Sequence, residues 1–341
     1  MNTVSGNRLG TLVPLAILLA CGTERGRAPT GPPAIVAANL QPADDDPPQF
    51  SGWSAPVNLG PMVNSDLADQ SPETTKDGLS LYFARGVTNT NFDIWVSERA
   101  SPDRPWELAQ PLGSVINTDR TEFAPEISVD GHRMFFNSNR TGGFGGQDLY
   151  VSRRRDKLDN FSWGTPVNLG AAVNTSANEV APLLFEDEVT GTALLYFASN
   201  RAGGPGGNDV YVSTLLPDET FGPPVLVTEL STPFDDTPND MRRDGLEMFI
   251  ASNRQGTIGQ LDLWVSVRVG TSDPWSTPVN LGSVVNSTFR EGGAAISWDG
   301  TTLYFHSNAN RAGAMGPCFG ELGPCFFDNY VTTRSKLTRS N

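Results

Sequence analysis

A fifteen-residue string that recurs along the chain constrains its fold more than any other feature. It reads S-N-R-T-G-G-F-G-G-Q-D-L-Y-V-S from Ser138 to Ser152, and it returns from Ser199 and from Ser252 with its serine, arginine and aspartate positions kept. A worn copy spans 84–97 and an expanded copy spans 307–332. A single unit of this size cannot bury its own apolar face, so the repetition predicts stacked copies of one structural unit.

A second string, which begins with an aromatic residue, keeps step with the first. Its best preserved form is W-x-x-P-V-N-L-G, and the aromatic residues that open its copies lie 53, 57, 58 and 54 residues apart. These residues are Trp53, Trp106, Trp163, Phe221 and Trp275. The chain is therefore predicted to contain five units.

The second unit shows which elements one repeat contains. Glu122–Ser128 is a predicted strand, the Asp-Gly pair at 130–131 is a hairpin turn, and Arg133–Ser138 is the next strand. A Gly-rich loop leads to a third strand at Asp148–Arg153, and the Trp163 string supplies the fourth. Four short antiparallel strands in a radially repeated unit are typical of a β-propeller blade. Abundant glycine (35) and proline (26) suit many short strands joined by turns.

The phase of the repeat predicts how the ring closes. The array opens with an outer strand at Trp53–Leu59 and ends with three inner strands between 291 and 334. Complete blades result when the first strand joins the last blade, and this pairing also hides both sheet edges. We therefore expect an all-β, five-bladed β-propeller of four-stranded blades, closed by the N-terminal strand.

The repeat resembles a known family. The pattern P-x-x-S-x-D-G-x-x-x-x-F-x-S-N-R-x-G-G-x-G-G-x-D-L-Y-V-S is similar to the WD-like, TolB-type (PD40-like) β-propeller repeat, and the resemblance covers about 50 to 334. It implies an exported bacterial envelope protein whose propeller binds a partner. TolB itself has six blades and an extra N-terminal domain, so its own partners are not implied for this chain. Propellers host unrelated activities, so the repeat predicts the fold far better than the function.

The first fifty residues are expected to carry an export signal and a tether. Residues 1–21 resemble a bacterial lipoprotein signal peptide that ends in the lipobox L-L-A-C at Cys21. This resemblance implies a lipid on Cys21 and, because Gly22 follows, anchoring in the outer membrane. Residues 22–50 are rich in Pro, Ala and Asp and lack apolar periodicity, which predicts a disordered tether. The predicted boundaries are 1–21 for the signal, 22–50 for the tether, 51–334 for the propeller and 335–341 for a tail.

The net charge excludes one class of partner. The chain carries 24 Lys and Arg against 38 Asp and Glu, a net charge of −14. Nucleic acid is not expected as a partner, since its phosphates require clustered Lys and Arg. Membrane contact is assigned to the lipid anchor, and the protein is expected to be a monomer. The Gly-rich loop is one residue too long for the calcium nonapeptide G-G-x-G-x-D-x-U-x, so neither a metal nor a cofactor is predicted.

Three polar positions recur in register in all five units. A carboxylate opens the innermost strand, an arginine follows the second strand, and an aspartate opens the third. The carboxylates are Asp69, Glu122, Glu179, Asp235 and Glu291; the arginines are Arg85, Arg140, Arg201, Arg254 and Arg311; the aspartates are Asp93, Asp148, Asp209, Asp262 and Asp328. Antiparallel strands bring all three positions to one end of the ring. The carboxylates are therefore predicted to surround the mouth of the central channel, where they are candidate ligand-binding residues.

A group that is present in every blade also serves folding. Each arginine is expected to pair with the aspartate across its own Gly-rich loop, and each inner carboxylate to accept backbone N–H groups at the start of its strand. We therefore interpret the arginines and the loop aspartates as structural. For the inner carboxylates, a structural role and a ligand-binding role both stay open.

The fifth unit departs from the others through a longer loop. This loop contains Cys318 and Cys325, which in an exported protein are expected to form a disulfide. It also carries Met315, Phe319, Phe326 and Phe327. Apolar residues on a clipped loop suit contact with a partner, and they suit capping of the last blade's core equally well.

The sequence favours a binding or scaffold module of the cell envelope over an enzyme. Its partner would be an envelope protein, a peptide or a glycan that contacts the channel-mouth face. A first alternative is a glycosidase-like enzyme that uses carboxylates such as Glu122 and Glu179, since five-bladed propellers with acids at the channel mouth resemble some furanosidases. Against it, the acids are repeated by symmetry, whereas acid–base catalysis needs two carboxyls in different environments. A second alternative is a structural lipoprotein without a dedicated ligand.

Overall fold

The computed structural model describes residues 48–87, 91–188, 190–309, 311, 313–314 and 326–338. Throughout these residues the strands form five sheets of four antiparallel strands each, so the predicted all-β fold of five four-stranded blades is confirmed. The same residues include no helix with the length and apolar character needed to span a bilayer. The strands are β1 (Val57–Asn58), β2 (Asp69–Thr74), β3 (Ser80–Gly86), β4 (Phe92–Glu98), β5 (Gln110–Pro111), β6 (Glu122–Ile127), β7 (Arg133–Ser138), β8 (Asp148–Arg153), β9 (Val167–Asn168), β10 (Glu179–Glu186), β11 (Ala193–Ser199), β12 (Asp209–Thr214), β13 (Val225–Leu226), β14 (Asp236–Met241), β15 (Glu247–Ser252), β16 (Asp262–Val267), β17 (Val279–Asn280), β18 (Glu291–Ile296), β19 (Thr302–Ser307) and β20 (Asp328–Thr333).

Each blade uses four strands in chain order, except the last. The sheets β2–β5, β6–β9, β10–β13 and β14–β17 are the first four blades, and β18–β20 form the fifth blade together with β1. The first strand of each blade contacts the first strand of the next, so β2, β6, β10, β14 and β18 form a closed ring. These five inner strands surround the central channel, and their side chains decide what the channel can hold.

The N-terminal strand closes the ring, as the phase of the repeat predicts. Val57 of β1 lies opposite Val331 of β20 in an antiparallel pair. The pairing extends further through a bridge between Phe50 and Lys336. The two ends of the propeller are thus joined by pairing that extends slightly beyond residues 51 and 334. This pairing covers the outer edge of the fifth blade.

Glycine allows the tight turn between the first and second strands of a blade. In the four Asp-Gly turns, Gly78, Gly131, Gly245 and Gly300 have φ angles of 67, 75, 71 and 75°. This is the left-handed region, where a Cβ atom crowds the backbone and glycine does not. The Asp-Gly pairs that predict hairpins in the sequence therefore mark the end of the ring opposite the Gly-rich loops.

Aromatic residues of the second string pack one blade against the next. Trp106 meets Tyr304 edge-to-face with 6.3 Å between ring centroids, and Trp163 meets Tyr82 in the same way at 6.3 Å. A guanidinium also stacks on the indole of Trp106, with Arg99 Cζ 4.1 Å from the ring centre. These aromatic residues hold the blades together and lie outside the central channel.

Trp53 ties the closing segment to the ring, because its indole meets Phe249 at 6.1 Å and stacks on the Arg334 guanidinium at 4.5 Å. Trp53→Ala is expected to lower the free energy of unfolding by about 2 kcal/mol, as measured by urea denaturation. Val57 is 63% exposed in the closing strand and serves as the control. Val57→Ala should change the free energy by less than about 0.5 kcal/mol; equal losses in both variants would contradict this role for Trp53.

Candidate functional site

Every inner strand opens on a carboxylate that is 0% exposed and paired with an arginine. The five ion pairs are Arg85–Asp69 (2.6 Å), Arg140–Glu122 (3.1 Å), Arg201–Glu179 (3.1 Å), Arg254–Asp236 (2.6 Å) and Arg311–Glu291 (3.0 Å). Each carboxylate also accepts a backbone N–H from the preceding turn, as Glu122 does from Thr118 at 2.8 Å. These carboxylates are enclosed within their blades, and none of them lines the central cavity.

In the fourth blade the sequence pattern predicts Asp235 at this position, whereas the structure places Asp236 there. The reason is the register of β14, in which Asp236 lies opposite Ser252 and accepts its hydroxyl at 2.5 Å. Asp235 lies one residue earlier, where its Oδ1 accepts the N–H of Asn208 at 3.0 Å. Two adjacent aspartates fit the sequence pattern equally well, and strand pairing selects the second.

The arginines pair with the inner carboxylates and not, as expected from the sequence, with the aspartates of the Gly-rich loops. The loop aspartates are occupied by the loops themselves. Asp148 accepts the N–H of Phe144 at 2.6 Å and that of Gly145 at 3.0 Å. Both oxygens of this carboxylate already bind backbone N–H groups, so the aspartate stabilises its own loop. The arginine pairs instead with the carboxylate of the inner strand.

The other loop aspartates vary from blade to blade. Asp209 and Asp262 accept loop N–H groups in the same manner as Asp148. Asp328 accepts the side-chain amide of Asn58 at 2.9 Å, which links the fifth blade to the closing strand. In the first blade, Asp93 Oδ1 is buried without a hydrogen-bond partner among the described residues.

Several predicted residues lie outside the part of the chain that the structure describes. These are the lipidation site Cys21, the disulfide partners Cys318 and Cys325, and the loop residues Met315 and Phe319. The end of the same loop is described, and there Phe327 packs edge-to-face on His306 with 5.1 Å between ring centroids. This aromatic residue of the expanded loop therefore covers part of the channel wall.

A cavity of about 290 Å³ occupies the central channel. Its wall includes the third residue of each inner strand, and at that position Ser71, Ala124, Ala181 and Gly293 have φ angles of 50, 49, 50 and 54°. The pairing with the second strand shifts at this point in each of these four blades. Such a bulge leaves backbone N–H groups without their usual partners across the sheet, so other acceptors are required inside the channel.

Three carboxyl groups occupy the fifth position of the inner strands in blades one, two and four. They belong to Glu73, Glu126 and Asp240, while the third and fifth blades carry Leu183 and Ala295. Glu73 and Glu126 line the main cavity. All three carboxyls line a smaller cavity of about 70 Å³ on the side of the hairpin turns. The carboxyl cluster, Glu73, Glu126 and Asp240, is thus the floor between two cavities.

Two of these carboxyls bridge to the following blade. Glu126 Oε1 accepts the N–H of Leu184 at 2.9 Å, and Asp240 Oδ2 accepts the N–H of Ile296 at 2.6 Å. Leu184 and Ile296 directly follow the positions at which the third and fifth blades lack an acid. The acid of one blade therefore satisfies a backbone N–H of the next blade's inner strand.

Two equivalent donors are satisfied within their own blade. Asp240 Oδ1 also accepts the N–H of Met241 at 2.6 Å, and Glu73 is bonded to the N–H of Thr74. In both cases the preceding blade has an apolar residue where an acid would otherwise reach across. The carboxyl cluster thus has a structural use in addition to any chemistry.

Burial raises the pKa of all three carboxyls in the cluster. Desolvation is the main cause, and it raises the pKa of Asp240 to about 7. The pKa values of Glu73 and Glu126 lie well above their usual range, because repulsion from Asp240 adds to the desolvation. Hydrogen bonds from backbone N–H groups oppose the rise and do not cancel it. The cluster therefore keeps at least one proton at neutral pH.

Reasoning from the sequence missed the carboxyl cluster because it sought residues shared by every unit. The available signal was the Pro-Glu pair at 72–73 and again at 125–126, four residues after each inner carboxylate. Asp240 occupies the same position in the acidic segment 234–240. Among the described residues, no group of three or more His, Cys, Asp or Glu is arranged to hold a metal ion.

The fold is shared with solved glycosidases. No protein-family model and no curated protein matches the chain. It is similar to an α-L-arabinofuranosidase from Lactobacillus brevis, with 18% identity, a TM-score of 0.54, and 82% of this chain and 94% of that chain covered. It is also similar to a GH62 α-L-arabinofuranosidase catalytic domain from Coprinopsis cinerea (13%, 0.54, 84% and 98%) and to an endo-arabinase from Bacteroides thetaiotaomicron (17%, 0.51, 85% and 99%). At these identities the likeness shows the fold.

These neighbours contradict the preference for a protein without enzymatic activity. The solved chains share this fold over 94 to 99% of their own length, and all three are described as glycosidases or an arabinase. This five-bladed ring is therefore a fold that described enzymes use, and these neighbours contradict the expectation of a non-enzyme. None of the three is described as a TolB-type protein, so beyond the propeller fold that resemblance stays a prediction.

The raised pKa of Asp240 predicts that the protein loses stability as the pH rises. The folded-state pKa of about 7 exceeds the unfolded value of about 4, so the folded state binds the proton more tightly and its advantage declines between these values. Urea denaturation should show the free energy of unfolding falling from pH 5 to pH 8 by on the order of 2 kcal/mol. Asp240→Asn should flatten this slope, whereas the control Asp218→Asn, at an exposed carboxylate, should not. An unchanged slope in Asp240→Asn would contradict the raised pKa of Asp240.

Gly293 is expected to tolerate no Cβ atom while His306 is present. A Cβ there would lie 2.6 Å from His306 Nδ1 and 2.7 Å from the Cα of Ser71. Ser71, Ala124 and Ala181 adopt the same left-handed backbone, so φ alone does not require glycine. Gly293→Ala should lower the free energy of unfolding by about 2 kcal/mol, and His306→Ala in the same chain should restore part of that loss. Strictly additive losses in this double-mutant cycle would argue against the packing.

Proposed function

We propose that this chain is a glycosidase-like enzyme that binds a neutral glycoside in the central cavity and cleaves it with the carboxyls of the floor. The observation that carries the proposal concerns Glu73 and Glu126. Both carboxyls line the cavity, both are buried, and both have a raised pKa. Glycoside hydrolysis needs one carboxyl that donates a proton and a second that is ionised, and a cluster of coupled carboxyls meets that need.

The carboxyl cluster can hold both protonation states at one pH. Repulsion between neighbouring carboxyls separates their successive proton losses, so one group stays protonated while another is ionised. Asp240 titrates near neutral pH, and its charge acts on both Glu73 and Glu126. Symmetry is no obstacle to acid–base chemistry here, because two blades lack the acid and the three carboxyls consequently have different neighbours.

The dimensions of the cavity favour a small substrate group. Its volume of about 290 Å³ is at the lower end of small-molecule sites, which span roughly 300 to 1,000 Å³. A single sugar ring fits such a space, whereas several rings side by side do not. We therefore expect the enzyme to act on one terminal or branching sugar residue of a larger glycan.

The neighbours support a pentose-containing glycan as the substrate class. They are described as α-L-arabinofuranosidases and an endo-arabinase. By analogy, we propose an α-L-arabinofuranosyl group as the residue that this chain removes. Together with the sequence prediction of a lipid on Cys21 in the outer membrane, this would make the protein an envelope-bound enzyme that meets glycans at the cell boundary.

The full-length protein is expected to release p-nitrophenol from p-nitrophenyl α-L-arabinofuranoside and arabinose from arabinan. Glu73→Gln and Glu126→Gln should each lower kcat by about a hundredfold or more, because an amide cannot transfer the proton. A glutamine carbonyl can still accept the backbone N–H, so both variants should stay folded. Asp299→Asn, at a turn away from the cavity, is the matched control and should keep wild-type activity.

Two results would contradict the proposal. Activity that survives in both glutamine variants would exclude the carboxyl cluster as the catalytic group. Binding of arabino-oligosaccharides without any release of arabinose would favour the second candidate, a binding module. The specific observation behind that candidate is the bonding of Glu126 and Asp240 to backbone N–H groups of the inner strands, which gives these acids a structural role without catalysis.

A further inference from the structure

We propose that Asn239 and His306 form a polar recognition pair that binds the hydroxyl groups of an uncharged saccharide in the central cavity. The inference deepens the proposed function, and it rests on the assignment of the cavity to a sugar. It concerns binding alone, so it can be tested whether or not the bound sugar is cleaved. Both residues line the cavity, and both stand where the repeat otherwise places a residue of a different kind.

His306 breaks the symmetry of the second strands. At the equivalent position the first, third and fourth blades carry alanine, and the second blade carries asparagine. The residues are Ala84, Asn137, Ala198, Ala251 and His306. A fully conserved structural need would be met by the same residue in every blade. The imidazole therefore meets a requirement that is specific to the fifth blade.

The hydrogen bonds of His306 define which ring nitrogen faces the cavity. Nδ1 accepts the backbone N–H of Ser71 at 3.0 Å. Burial, reinforced by the positive charge of Arg290, lowers the pKa of His306 to about 3, so the ring is neutral and Nε2 carries its hydrogen. Nε2 has no hydrogen-bond partner among the described residues, and it is not among their buried unpaired atoms. Its N–H is consequently free to donate to a molecule in the cavity.

Two glycines make room for the imidazole in this blade alone. A Cβ at Gly292 would lie 3.0 Å from His306 Nε2, and one at Gly293 would lie 2.6 Å from Nδ1. The other blades carry larger residues at the position of Gly292. These are Gln70, Phe123, Val180 and Thr237. The loss of these side chains and the gain of the histidine occur together, as expected for a site built around the ring.

Asn239 breaks the symmetry of the inner strands in the neighbouring blade. At the fourth position of these strands the other blades carry Pro72, Pro125, Pro182 and Ala294. The side chain of Asn239 lines the cavity, and its Oδ1 is buried without a hydrogen-bond partner among the described residues. A buried amide oxygen without a partner is unfavourable. Rotation of the amide toward a ligand that donates a hydrogen bond to Oδ1 would remove the penalty.

Together the two residues suit a hydroxyl-bearing, uncharged ligand. An imidazole N–H donates and an amide both donates and accepts, which matches a sugar hydroxyl that does both. The proline and alanine residues of the wall offer apolar contact to the ring faces of the sugar. An anionic sugar is disfavoured, because Glu73, Glu126 and Asp240 form the floor and gain negative charge as they ionise.

The chain offers variants that separate recognition from folding. His306→Asn introduces the residue of the second blade and keeps an acceptor for the Ser71 N–H. Its amide N–H2 takes the place of the ring carbon Cδ2 and does not reach the position of Nε2, so the donor at that position is lost. Asn239→Ala introduces the residue of the fifth blade. Asn137→Ala is the matched control: Asn137 lines the same cavity, but its amide is already engaged, since it accepts the Ala181 N–H at 3.3 Å and donates to Gln147. The control loses an acceptor of a bulge N–H, which neither recognition variant does, and it keeps both polar groups of the proposed pair.

Binding of L-arabinose and of arabinotriose to the full-length protein is to be measured by calorimetry and by ligand-observed NMR. We expect His306→Asn and Asn239→Ala each to raise Kd by about tenfold or more, with Asn137→Ala within about twofold of wild type. D-xylose should bind measurably and D-glucuronate, which adds a carboxylate to the same ring, should not. Thermal melting of each variant establishes that the protein is folded.

The outcomes also separate this inference from the proposed function. Binding by wild type and by Glu126→Gln that is lost in His306→Asn and Asn239→Ala supports the pair, even if no sugar is hydrolysed. Hydrolysis with an unchanged Kd and KM in both recognition variants overturns the pair and leaves the enzyme assignment intact. An equal loss in Asn137→Ala assigns the effect to folding and overturns the pair. The absence of binding to any of the uncharged sugars overturns it as well.

Discussion

The structure depends on one buried interaction that is repeated in every blade, the pairing of an arginine with the carboxylate that opens the inner strand. In the second blade, Arg140 binds Glu122 at 3.1 Å and also donates to the carbonyl oxygen of Ile116 at 2.8 Å. One guanidinium thus joins the inner strand, the loop after the second strand and the turn that enters the blade. Removal of one partner from such a buried pair costs about 3–5 kcal/mol, which explains why the pair recurs in all five blades.

The fold could be predicted from the sequence because it is set by features that repeat. The spacing of the aromatic residues determines the number of blades, the Asp-Gly pairs mark the hairpins, and the phase of the first strand requires closure onto the last blade. Partners within a blade could not be predicted with the same success. Asp235 and Asp236 are indistinguishable in the pattern, and an arginine has both an inner carboxylate and a loop aspartate within reach. The register of β14 determines which aspartate is paired. The backbone N–H groups that already bind the loop aspartates determine the partner of the arginine.

The candidate site could not be predicted in the same way, because it consists of departures from the repeat. The invariant acids are sealed inside their blades, and the acids that reach the channel are found in three blades of five. Their raised pKa values arise from burial and mutual repulsion, which are properties of the closed ring. The same holds for His306, whose orientation depends on two glycines of another strand and on a backbone N–H of the first blade. In this protein the repeat encodes the framework, and its irregularities encode the channel.

The way in which three carboxyls serve backbone N–H groups of four inner strands also has an evolutionary consequence. Such an N–H donates to an acid of its own blade, as Met241 does to Asp240, or to an acid of the blade before, as Leu184 does to Glu126. A blade can therefore exchange its acid for Leu183 or Ala295 without leaving a donor unsatisfied, provided that a neighbour retains one. Duplicated units in such a ring do not diverge independently. The substitutions that one unit tolerates depend on the acids that its neighbours retain. A new activity can therefore arise in one blade while the adjacent blades preserve the fold.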